Sequence, residues 1–312
     1  MPQAGKSEVL IVGKIPADLR QALAAQFELV EGWSLREQPQ EKRGYRIAVT
    51  TGMDGFDSTL MDRLPDLRLI ASQGVGLERI DRPAAAARNV TITHTPNILT
   101  EDVADFAIGL LYGVARRIAE ADRFVRAGRW GPERIAPSTS LHGKNAAIVG
   151  MGRIGMAIAR RTAGIGMTVT YHGPRKKAEL AYPYFAEIGA LAAQADFLIL
   201  SCPGGPSTMG LVDAEVLRRL GPTGFLVNIS RGEVVDESAL LGALENGGIA
   251  GAGLDVFATE PGLNPRFLKL DNVILTPHSA SITREVRVKL IACMIEDISA
   301  FLSGAPLRYA AS

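Results

Sequence analysis

Three short apolar runs in the second half of the chain each lead into side chains that a bland fold would not require there. Asn228-Ile229-Ser230-Arg231-Gly232 ends in a guanidinium. Leu254-Asp255-Val256-Phe257-Ala258-Thr259-Glu260-Pro261 carries two acids, and Leu275-Thr276-Pro277-His278-Ser279-Ala280 an imidazole. A guanidinium is a planar fork that fits a carboxylate, and an imidazole gains or loses a proton near neutral pH. Ligands of open α/β sheets bind beyond the carboxyl ends of the strands, so the pattern predicts that Arg231, Glu260 and His278 are delivered to one crevice. Taken singly, Arg231 reads equally as a surface cation, His278 as a loop histidine and Glu260 as a turn acid. Their occurrence together at successive run ends, beside a glycine motif, is what points to chemistry.

That motif is Gly150-Met151-Gly152-Arg153-Ile154-Gly155, preceded by apolar Ala146-Ala147-Ile148-Val149 and followed by Met156-Ala157-Ile158-Ala159-Arg160-Arg161, which reads as a helix. Strand, glycine turn and helix in that order form the context in which G-x-G-x-x-G binds a dinucleotide. Gly150 permits the tight turn, Gly152 lets the backbone approach a pyrophosphate, and Gly155 lets the helix pack close to the strand. The uncapped N–H groups and positive end of the helix then face the phosphates. The next strand of such a unit usually ends in an acid that takes the ribose 2′-hydroxyl. Here it ends Tyr171-His172-Gly173-Pro174-Arg175-Lys176-Lys177, with no acid and three cations. A 2′-phosphate suits Arg175, with His172 and Lys176 as further donors, so NADP is expected in preference to NAD. The alternative, that Arg175-Lys176-Lys177 is a solvated helix start, accounts for the charges but not for the missing acid.

The elements that position these groups follow from the rest of the sequence. A chain of 312 residues is long enough for two domains. Strand-like runs at 8–13, 45–51, 67–73 and 90–95 alternate with helical spacing at 17–27, 56–64 and 84–88. Met53-Asp54-Gly55 reads as a turn and Gly74-Val75-Gly76 as a loop. Thr95-Pro96-Asn97 breaks the alternation. One long helix is predicted over 100–126, with Thr100 as its N-cap and Glu101 and Asp102 in its first turn. After a loop at 132–140, six further strands are predicted at 145–150, 167–172, 196–201, 224–230, 252–257 and 272–277. A last helix at 283–302 has apolar spacing at Val286, Leu290, Cys293 and Met294 and is expected to return to the first domain. Alternating strands and helices predict parallel, doubly wound sheets. The expected domains are 1–97 with 284–312, and 98–283.

Bulk properties narrow the partners. A net charge of +1 argues against a nucleic-acid surface or a polybasic membrane anchor. No apolar run approaches the length of a membrane span, and the stretch from Met1 to Lys6 lacks a signal-peptide core. Cys202 and Cys293 have no metal-like spacing and read as buried free thiols, which points to the cytoplasm. No metal site is assigned. His94 and His142 read as structural or surface residues.

Taken in order, the glycine motif, Asn228-Ile229-Ser230-Arg231-Gly232, Gly253-Leu254-Asp255-Val256-Phe257 with Glu260-Pro261, and Thr276-Pro277-His278 resemble the D-isomer-specific 2-hydroxyacid dehydrogenases. Gly74-Val75-Gly76 and the Asp102-Val103-Ala104-Asp105 segment match as well, so the resemblance runs over nearly the whole chain. Within the family, the missing strand-end acid and the Gly173-Pro174-Arg175 turn are similar to the NADPH-dependent glyoxylate/hydroxypyruvate reductases. The resemblance implies an α/β fold of two doubly wound parallel-sheet domains, the larger a Rossmann dinucleotide-binding domain and the smaller a flavodoxin-like substrate domain.

It also implies roles. Arg231 holds a small 2-keto acid and stabilises charge on its carbonyl oxygen. His278 protonates that oxygen as hydride is delivered, and Glu260 orients the imidazole and favours its charged form. The backbone N–H groups of Val75 and Gly76 take the substrate carboxylate. The implied cofactor contacts are Gly150, Met151, Gly152, Arg153 and Ile154 in the glycine turn, and His172, Gly173, Pro174 and Arg175 after the next strand. Cys202 and Pro203 line it after the strand predicted at 196–201. Ile229, Ser230 and Arg231 follow, then Asp255 (also an orienting acid), His278 and Ala280, with Thr100 at the start of the long helix. The family resemblance further implies a homodimer in which Trp130 reaches the partner's substrate pocket; the alternative is an aromatic anchoring its own loop. Rival readings are a D-lactate or phosphoglycerate type of dehydrogenase, and a non-catalytic nucleotide-sensing protein like the corepressors that share this fold. A formate dehydrogenase is disfavoured, because that relative has Gln where Glu260 stands.

Overall fold

The computed structural model describes residues 6–36 and 44–311. Met1–Gly5, which make up most of the stretch read for a signal peptide, lie outside the described residues. The chain divides into two compact units, Met1–Ile98 with Thr283–Ser312, and Leu99–Ile282. The divisions therefore fall at 98/99 and 282/283 rather than at 97/98 and 283/284.

The first unit runs β1 (Glu8–Ile11), α1 (Ala17–Gln26), β2 (Glu28–Glu31), β3 (Ile47–Thr51), α2 (Ser58–Asp62), β4 (Leu69–Gln73), α3 (Arg82–Ala87) and β5 (Thr91–Thr93). Its sheet is parallel with the order β2-β1-β3-β4-β5, the flavodoxin-like arrangement. Strands covered on both faces read as continuous apolar runs, and Val9, Leu10 and Ile11 of β1 are buried at 1% exposure or less. The edge strand β2 is absent from the sequence reading. It is only Glu28-Leu29-Val30-Glu31, with a glutamate at each end and no buried residue, so it carries no run to detect. Asp57 and Asp81 accept from the backbone N–H of Leu60 and Ala84 and so start α2 and α3.

The second unit runs α4 (Thr100–Ala115), α5 (Ile118–Arg126), β6 (Asn145–Val149), α6 (Arg153–Gly164), β7 (Thr168–His172), β8 (Tyr184–Phe185), α7 (Ile188–Ala192), β9 (Phe197–Leu200), α8 (Ala214–Leu220), β10 (Phe225–Asn228), α9 (Glu237–Glu245), β11 (Gly251–Leu254) and β12 (Val273–Leu275). Its sheet order is β12-β11-β10-β9-β6-β7-β8. Counted from β6, this is the 3-2-1-4-5-6 dinucleotide-binding order, extended by β12. The sheet has one strand more than the six predicted: β8, whose two residues are too few to show a period.

The single helix expected over 100–126 is two. Arg117 sits in the left-handed region at φ 53°, and the guanidinium of Arg117 pairs with Glu120 across the bend. No glycine or proline marks this break. Thr100 is not the N-cap either: buried Leu99 occupies that position without a side-chain cap, and Thr100 is the first helical residue. Finally, α10 (Arg284–Ser303) belongs to the first unit, starts from a Thr283 side-chain cap, and buries Val286, Leu290, Cys293 and Met294. Among the described residues no helix is long and apolar enough to cross a membrane.

Candidate active site

The chain leaving β10 is fastened before it reaches Arg231. The Oδ1 of buried Asn228 accepts from the Ser230 N–H at 2.9 Å and from the Ser230 hydroxyl at 2.7 Å, while the Asn228 amide donates to the Arg231 carbonyl at 3.1 Å. Arg231 Nη1 donates back to the Ser230 carbonyl at 2.8 Å. Gly232 then lies so close to the main chain after β11 that a Cβ there would stand 1.9 Å from the Phe257 carbonyl carbon. Only hydrogen fits, so the Arg231 turn and the segment leading to Glu260 are pressed together. Gly232→Ala is expected to destabilise the fold by roughly 1–3 kcal/mol through overpacking, read as a lower melting temperature. An unchanged Tm would contradict the close approach.

The segment after β12 is held by a buried acid. Asp255, 1% exposed, accepts at Oδ1 from the Thr276 hydroxyl (2.6 Å) and the Ser279 N–H (2.8 Å), and at Oδ2 from the Ala280 N–H (2.9 Å). The Asp255 carbonyl also accepts from the His278 N–H at 2.9 Å. These bonds fix His278 at φ 51°, a left-handed conformation that a non-glycine residue keeps only when its surroundings over-determine it. Asp255 therefore anchors the His278 turn.

The imidazole meets its carboxylate directly. His278 Nδ1 donates to Glu260 Oε2 at 2.7 Å, and Glu260 Oε1 accepts from the Phe257 N–H at 2.9 Å. Burial would push the Glu260 carboxyl up. The His278 and Phe257 hydrogen bonds, with the charges of His278 and Arg231, outweigh it and hold the carboxyl below its ordinary value. An ionised carboxylate only accepts, so Nδ1 carries the proton of that bond. The Nε2 atom of a ring that remains 36% exposed is then the one left to give or take a proton. Arg231, Glu260 and His278 are thus one neighbourhood.

The glycine turn fits a dinucleotide. Gly150 has φ 93°, and a Cβ there would stand 2.5 Å from the Cys202 nitrogen; a Cβ at Gly155 would stand 2.1 Å from the Gly150 carbonyl oxygen. A Cβ at Gly152 would meet nothing within 4 Å, and α6 begins at Gly152 without a side-chain cap. The turn is tight, the helix close and the space beside its first amides open, which is what a pyrophosphate requires.

A family model described as "D-isomer specific 2-hydroxyacid dehydrogenase, NAD binding domain" matches residues 108–280. The chain belongs to the D-isomer-specific 2-hydroxyacid dehydrogenases. It is 40% identical over 301 residues to a 2-ketogluconate reductase of Gluconobacter oxydans, covering 96% of this chain and 97% of that one. It is 39% identical over 314 residues to a glyoxylate reductase of Pyrococcus furiosus, with coverage of 96% and 93%. Among solved structures, an NADPH-dependent glyoxylate/hydroxypyruvate reductase from Sinorhizobium meliloti, in complex with NADP and malonate, superposes with a TM-score of 0.89. It is 36% identical and matched over 99% of this chain and 97% of that one.

The remaining site residues of this dehydrogenase lie as follows. Met151, Cys202, Ile229, Ser230 and Ala280 are buried beside the glycine turn or the strand ends, and Pro203 is exposed. Burial pushes the Cys202 thiol up to about 11, so it stays protonated and unreactive. His172 Nδ1 faces the Phe185 carbonyl at 3.0 Å, and Tyr184 donates to the Gly173 carbonyl at 3.1 Å. Pro174, Arg175 and Lys176 are exposed, and among the described residues neither cation has a carboxylate partner.

In the first unit, no protein acceptor meets the N–H of Val75 or Gly76 among the described residues. His94 Nδ1 bonds the Val75 carbonyl at 3.2 Å, and Thr95 exchanges hydrogen bonds with Gly74. His94 thus acts as a structural residue, as expected. His142 packs on Gly166, as a structural residue does. Trp130 is 72% exposed, so it does not anchor its own loop.

Proposed function

We propose that this enzyme reduces small 2-keto acids, glyoxylate and hydroxypyruvate foremost, to 2-hydroxy acids with NADPH. The observation that carries this reading is the His278–Glu260 hydrogen bond formed within the field of Arg231. The reduced nicotinamide supplies the hydride. Arg231 receives the keto acid through its carboxylate and carbonyl oxygen and stabilises the negative charge that develops there. His278 gives the Nε2 proton to that oxygen; in the oxidative direction it takes the proton back. Glu260 stays ionised and holds Nδ1 protonated, so that Nε2 is the atom that gives its proton from the imidazolium and takes it back in the oxidative direction. The open amides of Val75 and Gly76 take the substrate carboxylate.

NADPH is favoured by the β7 end, where Arg175 and Lys176 are exposed without a carboxylate partner and no acid stands to repel a 2′-phosphate. The NADP bound by the Sinorhizobium meliloti relative supports the same choice. Arg175→Ala is expected to weaken NADPH by about tenfold, the worth of one charge-assisted contact, and to leave NADH nearly untouched, as read by calorimetry. Equal loss for both cofactors would contradict the 2′-phosphate contact.

Val125 (52% exposed), Trp130 and Ile135 (41% exposed) stand on one exposed stretch, which supports a homodimer in which Trp130 reaches the partner's substrate pocket. The two free cysteines support a cytoplasmic enzyme. The reading is tested by kcat/KM for glyoxylate, hydroxypyruvate, 2-ketogluconate, pyruvate and phosphohydroxypyruvate with each cofactor. Highest values for glyoxylate or hydroxypyruvate with NADPH support it. A preference for pyruvate or phosphohydroxypyruvate would move the enzyme to the D-lactate or phosphoglycerate type.

A further inference from the structure

Of the three cations that follow β7, one is turned inward. Lys177 is half-buried, and its Nζ donates to the Met151 carbonyl at 2.8 Å, inside the glycine turn that follows β6. Its backbone N–H donates to the hydroxyl of fully buried Tyr171 at 2.8 Å. The Tyr171 ring packs against Tyr184 with centroids 5.3 Å apart, and Tyr184 donates to the Gly173 carbonyl at 3.1 Å. The segment carrying Arg175 and Lys176 is therefore pinned at both ends, at Gly173 and at Lys177. Since β6 and β7 are paired neighbours, with Val149 opposite His172, the two turns leave the sheet side by side. Lys177 spans from one to the other.

The carbonyl it holds belongs to the peptide that joins Met151 to Gly152. In a planar trans peptide the C=O and the N–H point in opposite directions. Drawing the Met151 oxygen toward the ammonium turns the Gly152 N–H away from it, at the residue beside which the space is open. A carbonyl bonded to a cation is also polarised, which strengthens the N–H donor of the same peptide. The positive charge adds to that of the α6 N-terminus.

We propose that Lys177 is a positioning residue for the cofactor: its ammonium, carried on a segment that Tyr171 and Tyr184 hold independently, fixes the Met151–Gly152 peptide for the pyrophosphate. This rests on the dinucleotide reading of the glycine turn but not on the choice between NADPH and NADH, because both cofactors carry the pyrophosphate.

The test is calorimetric binding of NADPH, NADH and adenosine 2′-monophosphate, which lacks the pyrophosphate, to the wild type and to Lys177→Met and Lys177→Arg. Lys177→Met is expected to weaken NADPH and NADH in parallel by about tenfold, the scale of one hydrogen bond to a charged group. Adenosine 2′-monophosphate should bind the wild type and Lys177→Met alike. Lys177→Arg, which keeps a cationic donor of similar reach, should restore both dinucleotides. A loss for NADPH alone would make Lys177 a reader of the 2′-phosphate and overturn the proposal. So would unchanged binding, an equal loss for adenosine 2′-monophosphate, or an arginine variant as weak as the methionine one. Should Lys177→Met fail to fold, Lys177→Gln carries the same comparison. A wild type that binds NADPH no better than NADH defeats the NADPH reading separately, and the parallel loss of both dinucleotides in Lys177→Met with recovery in Lys177→Arg still tests the proposal.

Discussion

Replacing His278 with alanine is expected to lower kcat for glyoxylate reduction by about a thousandfold, within the range by which a positioned acid accelerates proton transfer. NADPH affinity should change little, because the glycine turn and the β7 end are built without the imidazole. The ring donates its Nδ1–H to Glu260 in a hydrogen bond of 2.7 Å, so only Nε2 remains for the substrate. Alanine also leaves the Glu260 carboxylate, whose side chain is 11% exposed, without its main partner. His278→Gln separates the two effects. It retains an amide donor for Glu260 but has no proton to transfer, and it should be about as slow as the alanine variant. Stopped-flow single turnover with NADPH binding measured alongside reads both quantities. Turnover near the wild-type rate in His278→Gln would remove the proton-donor role.

Arg231→Ala should lower kcat/KM for glyoxylate by about a thousandfold or more. On the proposed function two contributions vanish together: a fork to receive the carboxylate and a charge to stabilise the carbonyl oxygen as it becomes negative. Arg231→Lys should recover little, because an ammonium is a point charge without the bidentate geometry. Since binding and transition-state terms are both removed, KM should rise and kcat fall, and steady-state kinetics separates them. Kinetics within severalfold of wild type would take Arg231 out of the site. Because Asn228 and Gly232 pin the turn on either side of it, the substitution should leave the melting temperature nearly unchanged.

How much of this was legible in the sequence follows the physics of each feature. Strands buried on both faces, such as Phe197-Leu198-Ile199-Leu200, announce themselves as apolar runs, and the glycine motif carries its own context. The strands that escaped, Glu28–Glu31 and Tyr184–Phe185, are short edge strands whose side chains are at most half-buried, so no period develops. The bend at Arg117 escaped because it has no glycine or proline to mark it, only a left-handed φ that an Arg117–Glu120 pair spans. At the site, Arg231, Glu260 and His278 could be named because each ends a run, and strand ends share an edge of the sheet. Asp255 is named there only as an orienting acid, through the family resemblance; the hydrogen bonds that converge on it, and the contact that excludes a side chain at Gly232, join residues 20 or more positions apart and leave no mark in the sequence. Lys177 read as one of three similar cations; only the Met151 carbonyl within its reach distinguishes it.

The most direct measurement mixes the purified enzyme with NADPH and glyoxylate and follows the near-ultraviolet absorbance of the reduced cofactor while assaying glycolate. Continuous loss of that absorbance, matched mole for mole by glycolate, is the predicted result. Binding of NADPH without turnover on glyoxylate or hydroxypyruvate would contradict the account and favour a nucleotide-sensing protein built on the same fold.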